Sequence, residues 1–223
     1  FDSDLTLWSF SLNARHTNEE MYLKYGYNRY FDSFEHYYSL YQRRNLDLWA
    51  EYADGKVTKE ELNRQRYLYP LEAVGAGDST LAKAYERDAL AMIPTKSKLM
   101  PHAREVLEYL SGKYNLYILS NGFKELQSHK MRSSGIDEYF KKVVLSDDIG
   151  ILKPWPEIFH FALSTTQSEL NNSLMIGDSW ENDIVGAAGV GMHQVFYNLS
   201  GRTDLPFAPT YQITDLKDLF NFL

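Results

Sequence analysis

The chain has 223 residues, a formal net charge of −7 and no cysteine, which together limit the classes of protein it can belong to. Without cysteine it can hold neither disulfides nor thiolate metal sites, and this fits a cytoplasmic location. The acidic balance argues against a nucleic-acid binder, and no apolar run approaches the length of a membrane span. We therefore expect a globular protein of one or two domains that binds neither nucleic acid nor membrane.

The stretch from about residue 10 to 94 is predicted to be all-helical, because it is rich in aromatic residues and contains no convincing strand. Apolar side chains recur at near-helical spacing over 33–52. Thr58 and Glu61 then form a capping-box pattern at the start of another helix, and Asp78 precedes a further one.

After residue 94 the pattern changes to helices alternating with short apolar strands. Strands are predicted at 114–119, 141–145, 173–176, 194–197 and 211–213. Helices are predicted at 102–110, at 124–134, after Pro156 and at the C-terminus, and Phe1-Asp2 resembles the end of one more strand. This alternation predicts an α/β fold with a Rossmann-like, doubly wound parallel sheet. The sheet would be formed by 1–9 and 95–223, with 10–94 inserted after the first strand as a helical domain.

Polar residues follow four of the predicted strands, and function in an open parallel sheet collects beyond the carboxyl ends of its strands. The residues in these positions are Asp2, Ser3, Asp4, Thr6, Ser120, Asn121, Lys153, Asp178 and Asp183. Clustered carboxylates repel one another unless a cation or protonation offsets the charge, and an all-oxygen site suits Mg²⁺. A lysine adds positive charge for phosphate oxygens. One carboxylate can attack phosphorus while a neighbouring carboxyl group protonates the leaving oxygen.

Each of these features alone has a simpler interpretation. Asp178 and Asp183 would usually cap a helix N-terminus, Lys153 would be an exposed lysine, and Ser120 a hydroxyl at a strand end. Their occurrence together with the Asp2 segment favours a shared site. The six histidines show no spacing typical of a zinc site.

In this order and context the four segments resemble the motifs of the haloacid dehalogenase (HAD) superfamily, over essentially the whole chain. The matching residues are, in order, Asp2, Asp4 and Thr6 (the form DxDx[TV]); Ser120; Lys153 before Pro154; and Gly177-Asp178 followed by Asp183. Two positions depart from the common pattern, since Ser3 is usually a large apolar residue and Leu5 is usually Gly or Asp.

The resemblance implies a role for each residue at the metal. Asp2 would be the nucleophile and a ligand of Mg²⁺. Asp4 would be the general acid and then the general base, and its backbone carbonyl would bind the metal. Asp178 would be another ligand, with Asp183 bound directly or through water.

The resemblance also implies which residues hold the substrate. Ser120 and the backbone of Asn121 would bind the transferring phosphoryl group, Lys153 would neutralise it together with the nucleophile, and Thr6 would brace the loop beside them. The helical insert resembles the C1 cap of the superfamily, and its segment 55–66 is similar to pyrimidine nucleotidases and acylneuraminate phosphatases.

Asp4 favours a phosphatase over a dehalogenase, because an alkoxide leaving group must be protonated and a halide need not be. We therefore expect hydrolysis of a small-molecule phosphate monoester, first a nucleoside 5′-monophosphate and next a sugar phosphate, by a monomer or weak homodimer. The alternatives are a phosphomutase or 2-haloacid dehalogenase on the same scaffold, or a binding protein without catalytic activity.

Two features of the insert have competing interpretations. Arg64 and Arg66 could meet an anionic substrate, but each alone is better interpreted as a solvated residue on a helix face. The tyrosines of the insert could stack on a nucleobase, but most are expected to fill the interface of a small helical bundle and its seam with the core domain.

Overall fold

The computed structural model describes residues 1–223, which divide into two compact units. One unit consists of Phe1–Phe10 and Ser97–Leu223, and the other of Ser11–Lys96. Every helix is too short or too polar to cross a bilayer. The assignment of the units as catalytic core and cap stays a prediction.

The second unit is built from α-helices that begin where local sequence signals place them. The helices of this stretch are α1 (Phe10–Lys24), α2 (Phe34–Ala53), α3 (Lys59–Ala73) and α4 (Ser79–Met92). Thr58 and Glu61 form the predicted capping box, and the Asp78 carboxylate accepts hydrogen bonds from two backbone N–H groups of the first turn of α4. Such caps satisfy N–H groups that have no partner within the helix.

Buried tyrosines form the core of the helical unit, which confirms their predicted structural role. The rings of Tyr27 and Tyr85 lie 4.7 Å apart and those of Tyr27 and Tyr37 lie 5.2 Å apart. The hydroxyls of Tyr37 and Tyr85 both donate to Oδ1 of buried Asn18, at 2.7 and 3.0 Å. The rings therefore contribute apolar area, and Asn18 satisfies the hydroxyls of Tyr37 and Tyr85, whereas the buried hydroxyl of Tyr27 has no hydrogen-bond partner.

Arg66 differs from the solvated helix-face residue that the sequence suggested. Arg64 is exposed, but Arg66 is only 5% exposed. Its guanidinium donates to Oδ1 of Asn63 at 2.5 Å and to Oδ1 of Asn45 at 3.4 Å. The interpretation is wrong for Arg66 because α3 turns this residue towards α2, which supplies Asn45.

The first unit alternates strands and helices. Its strands are β1 (Leu116–Ser120), β2 (Phe140–Leu145), β3 (Leu174–Gly177), β4 (His193–Tyr197) and β5 (Tyr211–Ile213). Its helices are α5 (Ala103–Ser111), α6 (Lys124–Ser133), α7 (Pro156–Thr166) and α8 (Gly186–Gly189), with a π-helical stretch at Trp180–Val185 before α8. The predicted C-terminal helix is a short 3₁₀ helix, Leu216–Asn221.

All strand pairs are parallel, and the first residues of the chain join them. β1 pairs with β2, and β3, β4 and β5 pair in that order. The backbone nitrogen of Phe1 donates to the carbonyl of Tyr117, and the Phe1 carbonyl accepts from Leu119 N at 2.9 Å. On the other side, Asp2 N donates to the carbonyl of Ile176 at 2.8 Å. Phe1–Asp2 thus lies between β1 and β3 in a strand-like position.

Apolar clusters cover both faces of the sheet. Ile118 and Ile176 belong to a cluster with α5, whereas their neighbours Leu119 and Met175 belong to a second cluster with α7. This alternation follows from the period of two residues in a strand. Together with parallel pairing it confirms the predicted α/β class.

Candidate active site

The carboxyl ends of the strands bring the four predicted segments to one edge of the sheet. Asp2 lies beside β3, Ser120 is the last residue of β1, and Asp178 directly follows β3. Lys153 reaches the same place from the loop before α7, because its ammonium group bonds Asp2. This is the edge at which ligands bind in open parallel sheets.

Three aspartates form the centre of the site. Asp2, Asp178 and Asp183 each offer a carboxylate oxygen, and these oxygens all lie within 4.8 Å of one another. Asp183 is fully buried, and its Oδ2 accepts from Ser179 N at 3.0 Å. A Cβ on Gly177 would lie 2.2 Å from that same oxygen, so only glycine fits there without a shift.

Lys153 is the cation within this cluster. Its Nζ donates to Oδ1 of Asp2 at 2.7 Å, to Oδ1 of Asp183 at 2.6 Å and to the carbonyl of Leu119 at 2.8 Å. Burial lowers the pKa of Lys153, but the carboxylates of Asp183 and Asp2 outweigh burial and hold this pKa above its usual value. The side chain therefore stays charged, with a partner for each of its three hydrogens.

Negative charge is nonetheless in excess at the site. Burial raises the pKa values of Asp2 and Asp178, and repulsion from neighbouring carboxylates raises them further. Lys153 lowers both pKa values without cancelling the rise. Lys153 bonds Asp2 and Asp183 but not Asp178, and a bound cation would offset the remaining repulsion among the three carboxylates. The donor set consists of oxygen atoms alone and therefore fits a hard divalent ion.

Thr6 braces Asp178. Its hydroxyl donates to Oδ1 of Asp178 at 2.8 Å and accepts from the backbone N of Asp178 at 3.1 Å. Thr6 is fully buried, so its hydroxyl is committed to this contact. Its predicted place among the substrate-binding residues stays a prediction, and the geometry supports the bracing role.

Ser120 and Asn121, which are predicted to bind the phosphoryl group, make hydrogen bonds with neighbouring loops and with α6. Oγ of Ser120 accepts from Gly122 N at 3.0 Å and from Nε2 of Gln127 at 2.8 Å, which leaves its own proton to be donated. The side chain of Asn121 bonds both the N and the O of the Lys153 backbone, at 2.8 and 3.0 Å. Asn121 therefore fixes the loop that carries the lysine.

Asp4 lies outside the three-carboxylate cluster and has a second lysine as its partner. Nζ of Lys130 lies 2.9 Å from Oδ1 and 3.0 Å from Oδ2 of Asp4, and Nε2 of Gln127 lies 3.3 Å from Oδ2. Neither Lys130 nor Gln127 was found by sequence reasoning. A detectable signal existed, since the two residues lie three apart on the helix that follows Ser120, and such residues share a helix face.

The two unusual residues of the first motif have different consequences. Leu5 adopts the left-handed conformation, with φ 68°, where glycine or aspartate is commoner. A non-glycine residue there costs about 1–2 kcal/mol. Ser3 is buried at 2% exposure, and its hydroxyl contacts Oε1 of Gln127 at 3.4 Å. Leu5 therefore adds strain, whereas Ser3 has a polar neighbour.

Fold and site together define an α/β enzyme whose carboxylate cluster, suited to a metal ion, lies at the carboxyl edge of a parallel sheet. A family model of haloacid dehalogenase-like hydrolases matches residues 1–191. The chain belongs to this family, as its four motifs predicted.

Known relatives agree with this membership. Pyrimidine 5′-nucleotidase YjjG of Escherichia coli is 29% identical over all of this chain and 96% of its own length. The magnesium-bound crystal structure of the putative HAD-hydrolase YfnB from Bacillus subtilis has a TM-score of 0.87 at 25% identity, covering 100% of this chain and 96% of that one. The family and the relatives confirm the prediction of a HAD-type phosphatase.

Dehalogenases share the fold as well. L-2-haloacid dehalogenase from Xanthobacter autotrophicus superposes with a TM-score of 0.72 at 18% identity, over 98% of this chain and 94% of that one. At this identity the likeness concerns the fold alone.

Proposed function

We propose that this protein hydrolyses a small phosphate monoester in the presence of Mg²⁺, through a phosphoryl group carried on Asp2. A nucleoside 5′-monophosphate is the first candidate substrate. The observation that carries the proposal is the cluster of Asp2, Asp178 and Asp183, whose oxygens lie within 4.8 Å of one another around buried Lys153. The names of the relatives support it, since one is a pyrimidine 5′-nucleotidase and the structure of another is magnesium-bound.

Asp2 and Asp178 would hold the metal, together with the backbone carbonyl of Asp4. Asp183 would act through water, because Lys153 and the N–H of Ser179 already bond both of its oxygens. When bound, Mg²⁺ supplies positive charge to the phosphate oxygens and relieves repulsion among the carboxylates.

In the first step, a carboxylate oxygen of Asp2 forms a bond to phosphorus as the bond from phosphorus to the leaving oxygen breaks. Asp4 donates its proton to that oxygen, so the product leaves as an alcohol. Lys153 bonds Oδ1 of Asp2 and thereby orients the nucleophilic carboxylate. The Ser120 hydroxyl donates to a phosphoryl oxygen.

In the second step, Asp4 takes a proton from water as the water oxygen bonds to phosphorus. The bond between phosphorus and the Asp2 oxygen breaks, which frees inorganic phosphate and restores both aspartates. The same residue thus serves as acid and then as base. A halide leaving group would need no such proton, so Asp4 favours the phosphatase over a dehalogenase.

Magnesium-dependent phosphate release tests this proposal. We expect turnover of 4-nitrophenyl phosphate and of a panel of nucleoside and sugar phosphates, lost on chelation. Asp2→Asn should lower kcat by at least about 1000-fold, because it removes the nucleophile. Asp204→Asn, whose carboxylate is 86% exposed, is the matched control and should behave as wild type. Folded, magnesium-loaded protein without turnover would refute the proposal. The cytoplasmic location and the monomer or weak homodimer stay predictions.

A further inference from the structure

We propose that Lys130 is a positioning residue that fixes the carboxyl group of Asp4 for proton transfer to the leaving group. This inference rests on the proposed function, because it takes Asp4 as the general acid. Lys130 belongs to none of the four motifs, yet its side chain is only 5% exposed and its Nζ reaches both oxygens of Asp4, at 2.9 and 3.0 Å.

The surroundings of the Lys130 ammonium group direct it at this one carboxylate. Nζ lies 4.6 Å from the ring centre of Trp8 and 5.9 Å from that of Phe10. The aromatic rings stabilise the cation, and Asp4 bonds it. A buried ion pair is weak evidence for stability, since replacing both of its partners with apolar side chains of similar volume is often neutral or stabilising. A purely structural position on α6 would therefore not need a lysine.

Gln127, one helical turn earlier on α6, completes the arrangement. Its Nε2 lies 3.3 Å from Oδ2 of Asp4 and 2.8 Å from Oγ of Ser120. A Cβ on Gly122 would lie 2.1 Å from this Nε2, so the chain leaves room for the amide there. One helix face thus holds the predicted acid and the predicted phosphate-binding hydroxyl in a fixed relation.

This arrangement has a chemical consequence. A carboxyl group that carries its proton on one oxygen can still accept a hydrogen bond from Lys130 on the other. Lys130 therefore restricts the rotamer of Asp4 in both protonation states and keeps the proton aimed at the leaving oxygen. Without it, Asp4 would sample orientations that cannot donate, and a misplaced acid loses much of the gain from general acid catalysis.

The test compares two leaving groups in one protein preparation. An alkyl phosphate such as glycerol 2-phosphate needs the acid, whereas 4-nitrophenolate leaves readily without a proton. For Lys130→Met with saturating Mg²⁺, we expect the ratio of kcat/KM for the alkyl ester to kcat/KM for the aryl ester to fall at least about tenfold. The ratio does not depend on the fraction of folded enzyme, so partial unfolding cannot imitate the effect.

Three further variants sharpen the comparison. Asp4→Asn should lower the ratio at least as far as Lys130→Met does, because it removes the acid itself. Lys130→Arg keeps the charge and should retain most of the wild-type ratio. Arg132→Met removes an exposed cation from the same helix and should leave the ratio unchanged.

The outcomes separate this inference from the proposed function. Equal losses on both esters in Lys130→Met would overturn the positioning role and make Lys130 structural. Hydrolysis of neither ester by the wild type would instead refute the proposed function.

Discussion

The ammonium group of Lys153 bonds Asp2 and Asp183 at the same time, at 2.7 and 2.6 Å, although all three side chains are buried or nearly so. It thereby links the first motif to the fourth through the third. The contact explains how carboxylates from distant parts of the chain can lie together, since the lysine offsets part of their repulsion. The remaining excess of negative charge is the reason that we expect a cation at this site.

Replacing Lys153 should abolish activity and lower the free energy of unfolding. Lys153→Met leaves Asp2 and Asp183 buried without their cation, and breaking one side of a buried ion pair costs about 3–5 kcal/mol. Urea unfolding in chelator measures the loss. Lys142→Met, which removes an exposed lysine from β2, is the control and should change stability by less than about 0.5 kcal/mol. An active Lys153→Met enzyme would contradict the account.

The stability of the metal-free protein should fall as pH rises. The folded pKa values of Asp2 and Asp178 are raised from 3.8 to about 6 and about 8, chiefly by burial. The folded state therefore binds more protons than the unfolded chain above pH 3.8, and this contribution to stability is lost as pH rises through the folded pKa values.

Urea unfolding in chelator between pH 5 and 8 measures how the free energy of unfolding changes with pH. The comparison with Asp178→Asn separates the contribution of Asp178 from that of the other titrating groups. The variant should lose less stability than the wild type over that range. Saturating Mg²⁺ should also flatten the wild-type slope, because the ion binds the ionised carboxylates of the folded state. If the free energy of unfolding depended on pH equally in the variant and the wild type, the pKa of Asp178 would not be raised in the folded state.

Gly177 should not tolerate a methyl group. In Gly177→Ala the new Cβ would lie 2.2 Å from Oδ2 of Asp183, and the resulting shift should cost about 1–3 kcal/mol and most of the activity. Gly189→Ala is the matched control, since nothing lies within 4 Å of its Cβ position. Thermal unfolding and kcat measure both effects. Equal unfolding temperatures and equal kcat for the two variants would mean that the Asp183 carboxylate does not lie against Gly177.

The strain at Leu5 predicts the order of two substitutions of its side chain. Asparagine tolerates the left-handed conformation, whereas a β-branched residue does not. Leu5→Asn should therefore unfold at a higher urea concentration than Leu5→Val, by about 1 kcal/mol in free energy. If the valine variant were the more stable one, the positive φ of 68° would not describe the loop in solution.

Features that depend on local signals could be predicted from the sequence. The caps at Thr58 and Asp78 involve only residues within three positions of one another, and the structure shows both. The apolar runs predict strand ends at Leu119 and Ile176, and in the structure the strands end one residue later, at Ser120 and Gly177. The topology of a parallel sheet then requires these ends to lie at one edge.

Features that depend on packing could not be predicted. Lys130 is a buried partner of Asp4 because α6 turns this side chain towards the loop that carries Asp4. No local sequence pattern predicts the direction in which α6 faces. Arg66 was misjudged for the same reason, since its amide partner Asn45 belongs to another helix. At the C-terminus, the cap at Asp215 opens a helical stretch of six residues that is 3₁₀ rather than α, a form that proteins use in short pieces.

Covalent labelling of Asp2 during turnover tests the central claim most directly. We predict that protein quenched in acid while hydrolysing a ³²P-labelled monoester with Mg²⁺ carries label that hydroxylamine removes, as expected of an acyl phosphate. Peptide mapping should place this label on Asp2, and Asp2→Asn should carry none and release no phosphate. Label on a different residue, or full turnover by Asp2→Asn, would contradict the account.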